Sequence, residues 1–235
     1  MITKSPSLLN SLLTAAAFAA VLWAIKLCEM IFHWQLFDWG VYPQATSGLV
    51  GILSAPLIHG SWQHVAGNTM PLILLGGILL YGYPKARWWT LAIIWVLSGL
   101  GVWLIGRESY HFGASGLTHG MFFYLLVSGI LRRDKRSVAL LMVAFYMYGS
   151  MVMTIFPREP GISFEYHLFG GIAGTLCAIA FRHWDAKPVE KTYDWEGEDD
   201  IKDDDDENSI IGDLWLPEEQ RAEEQRTQEQ RKKEG

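Results

Sequence analysis

The sequence predicts an all-α polytopic membrane protein, a bundle of six transmembrane helices followed by an acidic, mostly disordered C-terminal tail. Three observations carry this reading. Composition is uneven along the 235 residues: Leu, Ile, Val, Phe, Trp and Gly dominate up to about residue 182, and polar or charged residues dominate from 185 onward. Six apolar runs in the first part approach the roughly 20 residues that a helix needs to cross a bilayer core. Lysine and arginine gather in alternate loops, the bias that sets orientation in a membrane.

The runs are 8–27, 65–83, 88–105, 115–131, 138–156 and 166–181. The first has Lys4 ahead of it and an alanine-rich middle, so a secretory signal is an alternative reading. It is long for a signal core, and an even number of spans suits a charged tail better. The second run carries His64 and Asn68 near its outer end, and the third opens on Trp88 and Trp89, residue types that favour the membrane interface. The fourth starts at Ser115 directly after Gly113 and Ala114, and the sixth, the shortest, begins beside His167. Lys4, Lys85, Arg87, Arg132, Arg133, Lys135, Arg136, Arg182 and Lys187 fall on one side, Arg107 and Arg158 on the other. Both termini are therefore expected in the cytoplasm. The resulting organisation is a cytoplasmic N-terminus at 1–7, a membrane domain at 8–184 and a cytoplasmic tail at 185–235, in a plasma membrane such as the inner membrane of a bacterium.

The formal net charge of −6 belongs to the tail, where 194–207 is nearly continuous acid and is expected to stay solvated. Within the tail Ile210, Ile211, Leu214, Trp215 and Leu216 form an apolar island suited to docking on a cytoplasmic partner. No basic face points to nucleic acid. Cys28 and Cys177 lie inside apolar stretches without the companions that a metal site or disulfide framework requires, so they read as small core residues and no metal or cofactor is expected.

Polar residues inside a membrane span are costly and mark function by default. They concentrate in three places. His59 precedes the second span, and His64 and Asn68, four residues apart, share one helix face. Gly113 and Gly116 bracket Ser115 where a loop becomes the fourth helix, a position surrounded by free N–H groups and the positive end of the helix dipole. His167, Gly170, Gly174 and Ala178 follow at helical spacing on the sixth span, and Gly116 and Gly120 form a matching small-residue stripe on the fourth. Stripes of this kind let backbones approach closely and would set His167 beside Ser115. A serine next to a histidine, among prearranged donors, is what acyl transfer to serine requires. His64, Asn68 and the Ser115 N–H are the candidate holders of the oxyanion.

These motifs resemble the rhomboid intramembrane proteases over about 8–181. In that family a helix-two histidine precedes an asparagine by four residues, as His64 precedes Asn68, and His59 matches an earlier outer-end histidine. The motif Gly-x-Ser-Gly matches Gly113 to Gly116, and His-x-x-Gly-x-x-x-Gly matches His167, Gly170 and Gly174. The resemblance implies a six-span rhomboid-like bundle and an endopeptidase that cuts transmembrane protein substrates in the lipid bilayer. It places the nucleophile at Ser115 and the base at His167. Three departures stand out. There is no Arg or Lys between Lys26 and Lys85 to anchor the long loop, as a Trp-Arg pair does in many members. Leu80 stands where a glutamate is common. His119, four residues after Ser115, replaces a tyrosine that stacks on the catalytic histidine, and it is a second candidate for the base.

Other readings stay open from sequence. Ser115 can be a packing residue, His64 and Asn68 interhelical hydrogen-bonding groups, and His59 either a cap on the second helix or a group that holds the oxyanion. His33, His111 and His183 are expected to be solvated interfacial side chains, and most of the eleven tryptophans an aromatic belt that includes Trp103. A rhomboid-like module that binds or chaperones helices without cutting them is the main functional alternative. A transporter would show paired carboxylates or inverted repeats, and neither is present.

Overall fold

In the computed structural model the described residues are 7–157 and 161–188, with four isolated positions between 217 and 230. Lys4, Arg158 and the expected disordered tail, with its apolar island, lie outside the described stretches. The chain divides into two units, 1–188 and 189–235, and the helices below belong to the first.

The regular elements among the described residues are helices, apart from an isolated antiparallel bridge between Val41 and His111. The elements run α1 Leu8–Phe32, a short α2 Gly51–Ser54 among three single 3-10 turns, α3 Trp62–Gly82, α4 Arg87–Ile105, α5 Ser115–Arg132, α6 Lys135–Tyr148 and α7 Phe164–Ala180. Side-chain caps begin four of them: Ser7 on Asn10 N, Ser61 on His64 N, Asp134 on Ser137 N and Ser163 on Tyr166 N. Three helices, α1, α3 and α4, are long and apolar enough to cross a membrane. Helices α6 and α7 are shorter, at 14 and 17 residues.

Helix α5 lies at the centre, with α3, α4, α6 and α7 all packed on it. Twelve of its 18 residues are buried, which lets Thr118, His119 and Ser128 face protein instead of lipid. Helix α1 is the opposite case. It buries little beyond Ser11, Ala15, Ala19 and Leu22, one stripe at helical spacing, and packs on α3 with Ala15 at Gly76 and Leu12 at Gly77. Leu9, Leu13, Val21 and Leu27 on its other faces stay exposed, the pattern of a helix that meets lipid on most of its circumference.

Two corrections concern elements. The apolar run 138–156 is not one helix: α6 stops at Tyr148, Gly149–Val152 is a 3-10 turn, and the chain turns again through Phe156. Asp185, read from sequence as the first tail residue, belongs to the helical body. It is 4% exposed, and its carboxylate accepts the N–H groups of Lys85 and Ala86 at 2.8 and 3.2 Å, which caps the start of α4. Beside it the buried Arg132 donates to Asp134 Oδ2, Ser137 Oγ and the carbonyls of Arg182 and Asp185. The cationic cluster that reads from sequence as a topogenic signal thus also fastens the ends of α3, α5, α6 and α7 together.

The long loop between α1 and α3 is anchored without a cation. Indole N–H groups from α4 do it: Trp95 donates to Leu53 O at 3.1 Å and Trp103 to Ala45 O at 2.8 Å. Trp103 therefore serves as a loop anchor in addition to any interfacial role. A side chain at Gly99 would press on the backbone of Ile52, so the loop sits directly on α4. Val41 pairs with His111 in both directions at 2.9 Å and ties the loop to the segment that leads into Ser115.

Candidate active site

Ser115 is the first residue of α5, reached through Gly113, whose φ of 115° lies in the left-handed region that favours glycine. A Cβ at Gly113 would also sit 2.6 Å from Cε1 and Nε2 of His64, so one edge of the imidazole packs against the loop before Ser115. The loop is pinned from behind as well. Gly113 N–H donates to Ala55 O at 2.8 Å, and Ala114 N–H donates to His59 Nε2 at 3.3 Å. His59 is buried and its ring meets that of His64 edge-on at 4.9 Å. Burial, with His64 next to it, lowers the His59 pKa to about 4, so the ring is neutral and able to accept that N–H. The geometry makes His59 an anchor of the loop. The N–H groups of Ser115, Gly116 and Leu117 have no acceptor among the described residues, as the first turn of a helix dictates.

The two small-residue stripes meet. A Cβ at Gly170 would collide with the Gly116 carbonyl oxygen, one at Gly174 with that of Gly120, and one at Gly116 with the Tyr166 ring. Helices α5 and α7 therefore touch backbone to backbone over two turns, and His167 stands at the outer end of that contact, 8% exposed. Its ring stacks on His119 with centroids 3.9 Å apart and planes within 7°. His119 in turn bonds through Nδ1 to Ser115 O at 2.7 Å. His119 thus takes the stacking place next to His167, while its own ring is spent on the backbone of Ser115.

Sequence reasoning missed Thr154. His167 Nδ1 is 3.0 Å from Thr154 O, and His119 Nε2 is 2.7 Å from Thr154 Oγ1. A carbonyl oxygen only accepts, so His167 carries its proton on Nδ1 and presents the Nε2 lone pair outward. The Ser115 hydroxyl makes no hydrogen bond to a described residue. Ser115 and His167 are carried by the first turns of two adjoining helices, α5 and α7. The one sequence clue to Thr154 was Gly149-Ser150, which interrupts the apolar run four residues earlier.

His111 was expected to be solvated, but it is 1% exposed. Its Nε2 faces Arg107 O at 3.0 Å, so that nitrogen carries the proton, and its Nδ1 accepts from Ser163 Oγ at 2.6 Å. Ser163 caps α7, so His111 links the loop before the serine to the start of the helix that carries His167. Arg107 strengthens the same seam through Glu165 at 3.2 Å and through the carbonyl of Ile162. His33 and His183 are exposed, as expected. Asn68 is buried one turn below His64, and its Nδ2 donates to His64 O at 3.1 Å, which leaves its second N–H uncommitted.

Residues 46–184, which hold His59, His64, Asn68, Ser115, His119, Thr154 and His167, match the model of the Rhomboid domain. The chain belongs to the rhomboid family. This rhomboid is also similar to an uncharacterized protein of Mycobacterium tuberculosis, 35% identical over 185 residues that cover 75% of this chain and 77% of the relative. An uncharacterized Mycobacterium bovis protein matches to the same extent, and one from Mycobacterium leprae is 33% identical over 174 residues, 70% of this chain and 69% of its own length. Family membership and three helices of spanning length and hydropathy make this rhomboid an integral membrane protein.

Proposed function

We propose that this rhomboid is an intramembrane serine endopeptidase, with Ser115 as nucleophile and His167 as base, that hydrolyses peptide bonds in or near transmembrane segments of other membrane proteins. The observation that carries the reading is the orientation of His167: its Nδ1–H is spent on Thr154 O, and its Nε2 is left as a base beside the helix that begins at Ser115. In the reaction Ser115 Oγ attacks the scissile carbonyl carbon as its proton passes to His167 Nε2. The oxyanion falls among the Ser115 N–H at the α5 N-terminus, the His64 ring and the free N–H of Asn68. The His167 imidazolium then protonates the leaving amine, and water releases the acyl group by the same route.

All six long helices span the bilayer in this reading, with both termini in the cytoplasm of a bacterial cell and the site near the outer end. Helices α5, α6 and α7 fall short of an autonomous span, and their burial against the longer helices and flanking turns offsets that. Substrates are membrane helices with small or helix-breaking residues near the cut, which let the backbone unwind. The apolar island at 210–216 is the surface for a cytoplasmic partner. A fluorophosphonate probe tests the core of the proposal: it should label the wild type and neither Ser115→Ala nor His167→Ala, and a model transmembrane substrate should be cut in the same pattern. Labelling that persists in Ser115→Ala removes the nucleophile assignment. A non-catalytic, helix-binding rhomboid would show no Ser115-dependent labelling at all.

A further inference from the structure

Thr154 touches both stacked histidines, one through its backbone and one through its side chain. Its carbonyl is free to do so because the chain has left the helix. Beyond Tyr148 the residues run through a 3-10 turn and further turns, and Thr154 N–H bonds back to Met151 O instead of to the residue four before it. A carbonyl in a continued helix would be taken by the N–H four residues on. Here it receives His167 Nδ1–H at 3.0 Å.

The hydroxyl has a second task. His119 Nδ1 lies 2.7 Å from the Ser115 carbonyl and must therefore carry the proton, which makes Nε2 an acceptor in the neutral ring. Thr154 Oγ1, at 2.7 Å from Nε2, has one proton to give and a more distant alternative in Met151 O at 3.0 Å. With the hydroxyl on Nε2, the His119 ring is held at both nitrogens, and its face lies 3.9 Å from His167. Ser115 O thus sets the protonated nitrogen of His119 and Thr154 O that of His167, and Thr154 bonds to both rings.

We infer that Thr154 is a positioning residue for this site: its carbonyl holds His167 in the Nδ1–H form that leaves Nε2 basic, and its hydroxyl holds His119 as the plate on which that ring rests. It stands where a buried carboxylate stands in a serine protease triad, orienting the base, but without adding a charge in the membrane. The inference rests on Ser115 and His167 as nucleophile and base, though its main readout does not need activity.

The test is the nitrogen spectrum of 15N-histidine-labelled, inactive Ser115→Ala protein, with His119 and His167 assigned by single substitutions. Both rings should be neutral with the proton on Nδ1, the minor form of a free histidine side chain. Thr154→Val keeps shape and carbonyl but removes the hydroxyl. It should leave both rings protonated on Nδ1, because the Ser115 and Thr154 carbonyls remain, and move the His119 Nε2 resonance to that of an acceptor without a hydrogen bond, a change that Thr154→Ser should reverse. With Ser115 present, Thr154→Val should slow acylation by the fluorophosphonate about tenfold, the low end of what is lost when a group that orients a functional imidazole is removed. Thr154→Ser should recover most of that rate. A proton on Nε2 of His167, or a Thr154→Val protein whose spectrum and acylation rate equal the wild type's, overturns the inference. If Thr154→Val does not fold, the Ser115→Ala spectrum alone decides. Failure of the protease reading looks different, because the wild type would then show no Ser115-dependent labelling, whatever the tautomers are.

Discussion

His119 is where this chain departs from its family nearest the chemistry, and the stacked geometry tells what a substitution there should do. The ring contributes a flat face to His167 and an N–H to the Ser115 carbonyl. His119→Tyr keeps the face, so cleavage of a model substrate should persist at a substantial fraction of the wild-type rate, whereas His119→Ala removes the support and should cost about tenfold or more. Inactivity of His119→Tyr together with activity of His167→Ala would transfer the role of base to His119. His59 yields a prediction in pH. Its pKa in the fold is about 4 against 6.5 for the free side chain, burial being the main cause. Between those values the unfolded chain takes up a proton that the folded one refuses, so stability present above about pH 6.5 is lost as pH falls toward 4. Buried His111 is shifted in the same direction and adds to the slope. His59→Gln should flatten the fall of melting temperature with acid in detergent; an unchanged slope would show that His59 is not what senses it.

At the level of elements the decisive contact is α5 on α7. A methyl group at Gly174 would meet the Gly120 carbonyl, which is backbone and cannot swing aside, so Gly174→Ala must push the helices apart. A displacement of about 1 Å at the reacting groups costs on the order of 10²-fold in rate. Gly174→Ala should therefore lose roughly that much fluorophosphonate acylation while keeping helical content by circular dichroism. A variant with normal acylation would mean the helices have slack. The stripes were legible in sequence because Gly116, Gly120, Gly170 and Gly174 recur at the spacing of a helix turn. The end of α6 was not, because Met151, Met153 and Ile155 continue the apolar run after the helix has stopped, and hydropathy does not register whether backbone groups bond within a helix or outside it.

For the whole molecule the boundary of the folded unit matters most. Asp185 caps α4 and its carbonyl receives Arg132, so a chain cut after residue 184 strips both contacts. Loss of a cap costs about 1 kcal/mol, and a buried arginine left short of partners costs more. Truncation after 184 should lower the melting temperature in detergent by several degrees, whereas truncation after 193 should change neither melting nor fluorophosphonate labelling. Equal melting temperatures for the two truncations would contradict the capping role.

The sequence by itself determined the helical membrane class, the register of the glycine stripes and the placing of Ser115, His64 and His167 near helix ends. All of these are properties of composition and local period, which bilayer thickness and helix geometry translate directly into structure. Tertiary structure alone decided which way each polar group is spent. His111, expected to face water, is buried on Ser163; His59, open between cap and oxyanion from sequence, holds Ala114; Trp95 and Trp103 replace the absent cation of the loop. Thr154, unremarkable in an apolar run, accepts from His167 and donates to His119. A hydrogen bond joins residues 13 to 58 positions apart in these cases, through angles set by packing, and no local pattern in a single chain encodes such a pairing.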